Sequence, residues 1–342
     1  MPTMKAAVFD GQGGIAVQEV PRPELAGDYD ILCRLEWGAT CTGTDNHIRL
    51  GRFPFSRDYP TVAGHESVGR VTATGGKVRY FREGDLVTRV GCPALEGLRS
   101  TWGGYAEWGL ARDQQAMVAD GQPPWTDWSA RVHRTVPYGL DPRAAPMFTT
   151  WRETASCWRR LAPPPAARAL VLGSGGNGFS FAAVAKASGA KTVAMTGAQR
   201  MKAAAARAGV DVFLPYYDVA KSPEMLKEHG PFDVIIDAVG KAGALDAALP
   251  YAAPGARVTV YGIDDLGCLS VNPAGAPGGC ALLPASYDEA EAHGEVSDWA
   301  RMGLLDASAW YDPGKPVELP GLLQAFICQK SGGFPKILVK LS

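Results

Sequence analysis

Two short segments in the first hundred residues combine residue types that bind metal ions. The first holds Cys41 and, after a Thr-Gly pair, Thr44, Asp45 and His47; the second is Gly64-His65-Glu66. A thiolate, an imidazole and a carboxylate are ordinary zinc ligands, and a catalytic zinc leaves one coordination position open. Zinc in such a site polarises a carbonyl or stabilises an alkoxide. The two segments are therefore candidate parts of one metal centre.

A second kind of chemistry is indicated by the glycines Gly173, Gly175, Gly176 and Gly178, which follow the apolar run Ala169–Leu172. The pattern G-x-G-x-x-G between a strand and a helix is typical of dinucleotide binding. The first glycine permits a tight turn, the second lets the backbone approach a pyrophosphate, and the third lets helix and strand pack closely. The helix N-terminus offers free N–H groups to phosphates. The alternative is a glycine-rich turn without a ligand.

The residues about 20 positions further on indicate which coenzyme would bind. An NAD site usually has Asp or Glu at the end of the second strand, but the stretch that contains Thr196 and ends at Arg200 has no acid. Thr196 is small and polar, and the cations Arg200 and Lys202 suit a 2′-phosphate. These residues favour NADP over NAD. The alternative is that both cations are solvated residues in the first turn of the next helix.

The pattern of apolar residues predicts the elements that must position these groups. Residues 4–110 are β-rich, and Asp141-Pro142 predicts the start of a helix that runs toward Leu161. From residue 169 onward strands and helices alternate, which is typical of βαβ units and a parallel sheet. The fold class is therefore predicted to be α/β, with a Rossmann doubly wound parallel sheet in the second half.

Composition limits the classes of partner. The chain has 342 residues and a net charge of −1, so neither nucleic acid nor an anionic membrane is an expected partner. Neither a signal peptide nor a run of about 18 apolar residues is present, which predicts a cytoplasmic protein. The seven cysteines are scattered without a C-x-x-C pair, so no disulfide framework is expected.

The whole pattern resembles the zinc-containing medium-chain alcohol and polyol dehydrogenases, closest to those of sugars, polyols and cyclitols. The shared features span nearly the whole chain: MKAAVF, C-x-G-T-D, GHESVGRV, GGYAEW, the glycine motif and the closing PKILVKL. The resemblance implies a GroES-like catalytic domain over 1–150, a Rossmann domain over 151–290 and a return segment over 291–342. It also implies a homodimer or homotetramer.

Residue roles follow from the same resemblance. Cys41 and His65 would be zinc ligands, and Glu66 a near or direct ligand. Thr44 would relay the substrate proton, with His47 at the outer end of the relay, and Asp45 would orient a ligand histidine. The plainer alternatives are a buried inert thiol at Cys41, a side-chain-capped turn at Thr44 and Asp45, and a surface residue at His47.

The sequence departs from that family in three places. Cys41 lies one residue earlier than usual, and Thr42 occupies the expected position. A further ligand is usual near Phe148 or Thr149, and Glu153 is the fallback. Only Cys92 remains of the family's four-cysteine zinc lobe, so a structural zinc is expected to be absent.

The expected function is hydride transfer between NAD(P) and a secondary alcohol or ketone, with zinc activating the oxygen of a small-molecule substrate. Two alternatives stay open. The first is a zinc-free, NADPH-dependent quinone or enoyl reductase of the same superfamily, which the weak third and fourth ligands favour. The second is a nucleotide-binding protein without catalysis.

Overall fold

The computed structural model describes residues 2–55, 57–265, 270–329 and 331–342. The chain divides into two compact units. Unit 1 comprises Met1–Thr149, Asp312–Lys330 and Lys336–Ser342, and unit 2 comprises Thr150–Tyr311 and Ser331–Pro335. Unit 1 thus resumes at Asp312, later than the residue 291 proposed from the sequence. The intervening residues stay with unit 2 because Glu289 pairs with Arg152 at 2.8 Å and Trp310 Nε1 donates to Gly176 O at 2.9 Å.

The strands are short, as is usual for twisted sheets. In chain order they are β1 Thr3–Phe9, β2 Ile15–Pro21, β3 Asp30–Ala39, β4 Thr61–Val62, β5 Ser67–Thr74, β6 Leu86–Thr88, β7 Arg99–Ser100, β8 Trp108–Arg112, β9 Arg168–Leu172, β10 Thr192–Gly197, β11 Val212–Pro215, β12 Phe232–Asp237, β13 Ala252–Val260, β14 Ala281–Pro284, β15 Val317–Glu318 and β16 Leu338–Lys340.

The α-helices are interspersed with short 3₁₀ turns. In chain order they are α1 Thr44–Arg49, α2 Gln114–Ala119, α3 Met147–Leu161, α4 Gly176–Ala187, α5 Lys202–Arg207, α6 Tyr216–Lys221, α7 Ala244–Ala248, α8 His293–Arg301 and α9 Leu322–Gln329. Within the described ranges, none of them has the length and apolar character that a bilayer span requires.

Unit 1 is built on two sheets. One has the order β2-β1-β4-β7, and the other has the order β15-β16-β3-β5-β6 with β8 also paired to β3. β3 is the centre of the second sheet because its N-terminal half pairs with both β5 and β8, while its C-terminal end pairs with β16. Residues from the far end of the chain thereby complete a sheet that the first hundred residues begin.

Unit 2 contains one six-stranded sheet of order β11-β10-β9-β12-β13-β14, and all its neighbouring strands are parallel. The central strands β9 and β12 are mostly apolar and almost wholly buried, as expected for strands covered on both faces. The order reverses between β9 and β12, which is where doubly wound sheets bind ligands. The predicted Rossmann domain is confirmed.

The predicted start of the long helix at Asp141 is wrong. Residues 142–146 form turns, and α3 begins only at Met147. Pro146 directly precedes the helix; a proline at a helix start is favourable, whereas the residue before a proline is pushed away from the helical region. The helix end at Leu161, just before Ala162 and the three prolines at 163–165, agrees with the sequence.

The cysteines that the structure describes are free thiols. Cys33, Cys41, Cys92 and Cys157 are buried, whereas Cys280 is half-buried and Cys328 exposed. Cys268 lies outside the described residues. Four of these thiols therefore occupy buried positions, as is common for free cysteines.

Candidate active site

The ends of two paired strands bring the predicted metal-binding segments together. β3 and β5 are antiparallel, with Gly38 opposite Ser67, and the Ala39 N–H donates to Glu66 O at 2.8 Å. The chain leaves β3 at Ala39 and passes through Cys41 before α1 begins. The register of two strands thus places Cys41 beside the residues that precede β5.

Cys41, His65 and Glu66 form a buried group whose possible metal-ligand atoms all lie within 4.8 Å of one another. Thr42 is exposed, so the sulfur of Cys41, not the side chain of Thr42, joins this group. The donor set of thiolate, imidazole and carboxylate fits zinc. Across the described ranges, no other group of three or more His, Cys, Asp or Glu side chains has this geometry.

Asp45 fixes the orientation of the histidine. Its Oδ1 lies 3.2 Å from His65 Nδ1, while its Oδ2 accepts hydrogen bonds from the Cys41 N–H at 2.9 Å and from the Tyr105 hydroxyl at 2.5 Å. His65 Nε2 is left facing Glu66, at 3.6 Å from Oε1. Burial lowers the pKa of His65, but the charge and hydrogen bond of Asp45, together with the contact with Cys41, raise it more, so the pKa lies well above its ordinary value.

Lys336 neutralises Glu66, and sequence reasoning missed it. Its Nζ lies 2.5 and 2.7 Å from the two carboxylate oxygens, and both side chains are only 1% exposed. The amine also donates to Thr40 O at 3.5 Å. Burial lowers the pKa of Lys336, but Glu66, Cys41 and Asp45 together raise it more. The available signal was a lysine preceding the otherwise apolar stretch Ile337–Val339.

The two predicted relay residues lie on α1, which starts directly after the Cys41 segment. Thr44 is the first residue of the helix and His47 follows one turn later, and both are half-buried. His47 Nδ1 forms a short hydrogen bond with Gly43 O. His47 is not a member of the Cys41–His65–Glu66 group.

The other positions expected to bind metal have different partners. Thr149 Oγ1 donates to the carbonyl of His65 at 3.3 Å, and Phe148 is buried. Glu153 accepts a hydrogen bond from the Tyr261 hydroxyl at 3.1 Å within unit 2. Burial raises the pKa of Cys92 to about 12, and its Sγ donates to Pro93 O. The absence of a structural zinc stays a prediction.

The glycine motif of unit 2 has the geometry that its spacing predicts. Gly173 has φ +105°, and a Cβ there would lie 2.4 Å from Val239 Cγ2. A Cβ on Gly178 would lie 2.0 Å from Gly173 O, so α4 packs directly on the end of β9. A Cβ on Gly175 would meet nothing within 4 Å, and no side chain caps the helix, whose first residue is Gly176. Open space above uncapped N–H groups fits a pyrophosphate.

A cavity of about 590 Å³ lies at the carboxyl ends of the strands that surround this turn. Its lining includes Gly173, Thr196, Tyr216 and Lys241. This is the edge at which doubly wound sheets bind nucleotides. Tyr216 and Lys241 were missed from the sequence; the available signal for Lys241 was its position in a Gly-Lys-Ala-Gly turn directly after a buried strand.

The end of β10 explains why no carboxylate follows the second strand. Thr196 is buried, and Gly197, the last residue of β10, packs so closely that a Cβ would lie 2.4 Å from Ser174 Cβ. A larger residue would displace Ser174, whose hydroxyl accepts from the Ala198 N–H. Arg200 is exposed, and its Nε donates to Gly332 O at 3.1 Å. Of the described cations, Lys241 lines the cavity and Arg200 does not.

Comparison with known proteins agrees with both units. Residues 27–120 match the alcohol dehydrogenase GroES-like domain, and residues 177–276 match the zinc-binding dehydrogenase model. L-threonine 3-dehydrogenase of Streptomyces avermitilis is 30% identical over 76% of this chain and 77% of its own. D-arabinitol dehydrogenase 1 of Uromyces fabae is 27% identical over 70% of this chain and 69% of its own.

The fold has close solved counterparts. An alcohol dehydrogenase of Escherichia coli CFT073, solved in complex with NADH, superposes with a TM-score of 0.80, covers 99% of this chain and 100% of its own, and is 20% identical. At that identity the likeness establishes the fold alone, which is the predicted GroES-like domain combined with a Rossmann domain. Together with the sequence matches, these findings show that the chain belongs to the zinc-binding alcohol and polyol dehydrogenase family and is an oxidoreductase of that type.

Proposed function

We propose that this protein transfers a hydride between NADP, its preferred coenzyme, and a secondary alcohol or ketone of the polyol, sugar or cyclitol class, with zinc at the Cys41–His65–Glu66 group. The observation that carries the proposal is this buried group, whose ligand atoms lie within 4.8 Å of one another. When bound, zinc supplies a Lewis acid for the substrate oxygen, and the coenzyme supplies the hydride acceptor.

The residues around the group prepare it for this task. Cys41, His65 and Glu66 would hold the metal, and Asp45 keeps His65 Nε2 turned toward the other two donors by its contact with Nδ1. A carboxylate behind a ligand histidine fixes the tautomer and raises the basicity of the imidazole. Lys336 offsets the charge of Glu66, so this carboxylate can lie in a buried site beside a thiolate.

Proton removal is assigned to α1. The hydroxyl of Thr44 accepts the substrate proton as it passes its own proton toward His47, one helical turn further on. The half-buried position of both side chains supports a path from the site toward solvent. His47 is suited to the outer end because an imidazole can exchange protons with water near neutral pH.

The coenzyme is assigned to the glycine turn and the cavity beside it. Gly173, Gly175, Gly176 and Gly178 would hold the pyrophosphate at the start of α4, and Thr196 would face the ribose. Lys241 lines the cavity and β10 carries no acid at its end, which supports NADP, whereas Arg200, which follows β10, lies outside the cavity lining. NAD is the alternative coenzyme.

The test separates the metal site from the coenzyme site. Cys41→Ser and His65→Ala are expected to lose zinc and turnover while the dissociation constant for NADP, measured by calorimetry, stays within a few-fold of the wild-type value. Zinc is measured by elemental analysis, and turnover by the absorbance of the reduced nicotinamide. If both variants lose affinity for NADP, the metal site and the coenzyme site are not separate, which would contradict the proposal.

Two further results would favour the alternatives. Wild-type protein with far less than one zinc per chain, purified without chelators, would support a zinc-free quinone or enoyl reductase. Protein that binds NADPH but turns over no alcohol, ketone or enone in a broad panel would support a nucleotide-binding protein without catalysis.

We also propose that the chain assembles as a homodimer or homotetramer in the cytoplasm. β14 is the last strand of the unit 2 sheet, and Leu282 on it is 57% exposed. An exposed edge strand with an apolar side chain is suited to pairing with a second copy. Light scattering during gel filtration measures the mass, and a monomer would contradict this proposal.

A further inference from the structure

A row of aromatic side chains lies beside the candidate metal group in unit 1. The ring of Trp102 is 5.2 Å from that of His65, Phe53 is 5.8 Å from Trp102, and Phe55 is 5.4 Å from Phe53, measured between centroids. Phe53 is 4% exposed, Trp102 40% and Phe55 75%. The row therefore begins at His65, a buried candidate ligand, and ends in solvent at Phe55. Trp102 is the member of the row that lies next to His65.

The backbone of Trp102 is held in a conformation that large residues rarely adopt. Its φ is +66°, in the left-handed region, and Arg89 nearby has φ +58°. The guanidinium of Arg89 lies 5.6 Å from the Trp102 ring centroid. Non-glycine residues persist in this region only where the surrounding structure enforces it, and they concentrate at functional sites. The structure thus places a strained tryptophan directly against a candidate zinc ligand.

Tightly packed glycines enforce this position. A Cβ on Gly91 would lie 1.6 Å from Trp102 O, and one on Gly103 would lie 2.1 Å from Cys92 O. A Cβ on Gly104 would lie 2.5 Å from Ser67 Oγ. The backbone on both sides of Trp102 is therefore wedged against neighbouring strands, with the Gly104 N–H donating to Gly64 O at 2.8 Å. On this constrained backbone the indole is held by its contacts with His65, Phe53 and Arg89, and a preorganised surface loses little entropy on binding a ligand.

A fixed, partly exposed indole suits one form of alcohol better than another. A six-membered ring presents a rigid, continuous C–H face that can cover the indole, whereas an open-chain polyol must freeze several rotatable bonds to present a comparable face. We infer that Trp102 binds the substrate by stacking and makes the enzyme favour cyclic over open-chain secondary alcohols. This inference rests on the proposed function, which leaves polyol, sugar and cyclitol open.

The test compares two substrate classes in three variants. Trp102→Gly removes the ring but keeps the backbone, since glycine accepts a positive φ freely; Trp102→Phe keeps a smaller ring. Trp125→Ala is the matched control, because Trp125 is a 74% exposed tryptophan of the same unit. The substrates are myo-inositol and 1,2-cyclohexanediol against xylitol and D-arabinitol, and kcat and KM are measured for each.

For Trp102→Gly we expect kcat/KM on the cyclic substrates to fall about tenfold or more, through KM, which corresponds to about 1.4 kcal/mol. On the open-chain substrates it should change by less than about threefold, with Trp102→Phe intermediate and Trp125→Ala at the wild-type value. If kcat/KM changes equally for both substrate classes, or for neither, the inference about Trp102 is overturned while the proposed function stands. Wild-type protein that turns over neither class would instead overturn the proposed function, and the inference with it.

Discussion

Three buried charged side chains meet at the candidate metal centre, and each has a close partner of opposite charge or a hydrogen-bond donor. Asp45 is held by His65, Tyr105 and the Cys41 N–H, and Glu66 is paired with Lys336. Removing one member of a buried pair leaves a desolvated charge without compensation. The stability of unit 1 therefore depends on these individual residues to a degree that surface ion pairs do not reach.

We predict that Lys336→Met lowers the free energy of unfolding by about 3–5 kcal/mol, because Glu66 is left buried and uncompensated. Adding Glu66→Gln should restore part of this loss, since the double variant has no unpaired charge. Lys340→Met on the exposed face of β16 is the control, with a change within about 0.5 kcal/mol. Urea unfolding measures all three. If Lys336→Met and the double variant lose the same free energy of unfolding, the unpaired Glu66 charge is not the cause of the loss.

At the scale of elements, the contact between β9 and α4 defines the coenzyme site. The helix begins at Gly176, immediately after the turn, and Gly178 faces the carbonyl of Gly173. Gly175 instead faces open space and has φ −82°. The two glycines in one motif therefore serve different purposes: one permits packing inside the protein and the other permits the approach of a ligand.

The same substitution, glycine to alanine, separates these two roles when it is made at each position in turn. Gly178→Ala should destabilise the protein by about 1–3 kcal/mol, because the methyl group overlaps Gly173 O and the helix must shift. Gly175→Ala should leave stability unchanged and weaken NADP binding, since its methyl group occupies the space of the pyrophosphate. Thermal unfolding and calorimetric titration measure the two effects. A destabilised Gly175→Ala protein would show that this position is also a packing position.

Local patterns predicted most of these elements. Alternating apolar strands and helices specified the parallel sheet, and the glycine spacing specified the turn before α4. The thiol, imidazole and carboxylate of the metal group were found because they follow recognisable strand and turn patterns. Lys336 was missed because its partner Glu66 is 270 residues away, and no local pattern reports such a contact. Lys241 was missed because it belongs to the loop after β12, which lines one cavity with the end of β10 only in the folded sheet.

At the scale of the whole molecule, unit 1 is assembled from both ends of the chain. β16 pairs with β3 and β15, and Leu338, Val339 and Leu341 are buried beside them. Unit 2 is almost continuous in sequence and holds the entire six-stranded sheet. The two units therefore differ in how much of their stability depends on contacts between distant parts of the sequence.

Deletion of residues 336–342 should accordingly damage one unit selectively. Three buried apolar side chains, each worth about 1.5–3 kcal/mol, are lost together with the partner of Glu66. We expect unit 1 to lose cooperative unfolding while unit 2 keeps its affinity for NADP. Circular dichroism during heating and calorimetry of NADP binding measure these properties, with Lys340→Ala as the control. A deletion protein that unfolds cooperatively at the wild-type temperature would contradict this account.

The pairing of Glu66 with Lys336 also has a consequence for biosynthesis. A ribosome makes Glu66 long before Lys336, which is 270 residues further on, and the segment between them includes all of the Rossmann sheet. Until the lysine emerges, the nascent N-terminal unit cannot bury its carboxylate at low cost. The Rossmann sheet can therefore form during translation, whereas the ion pair beside Cys41 and His65 is completed only after residue 336 has been made.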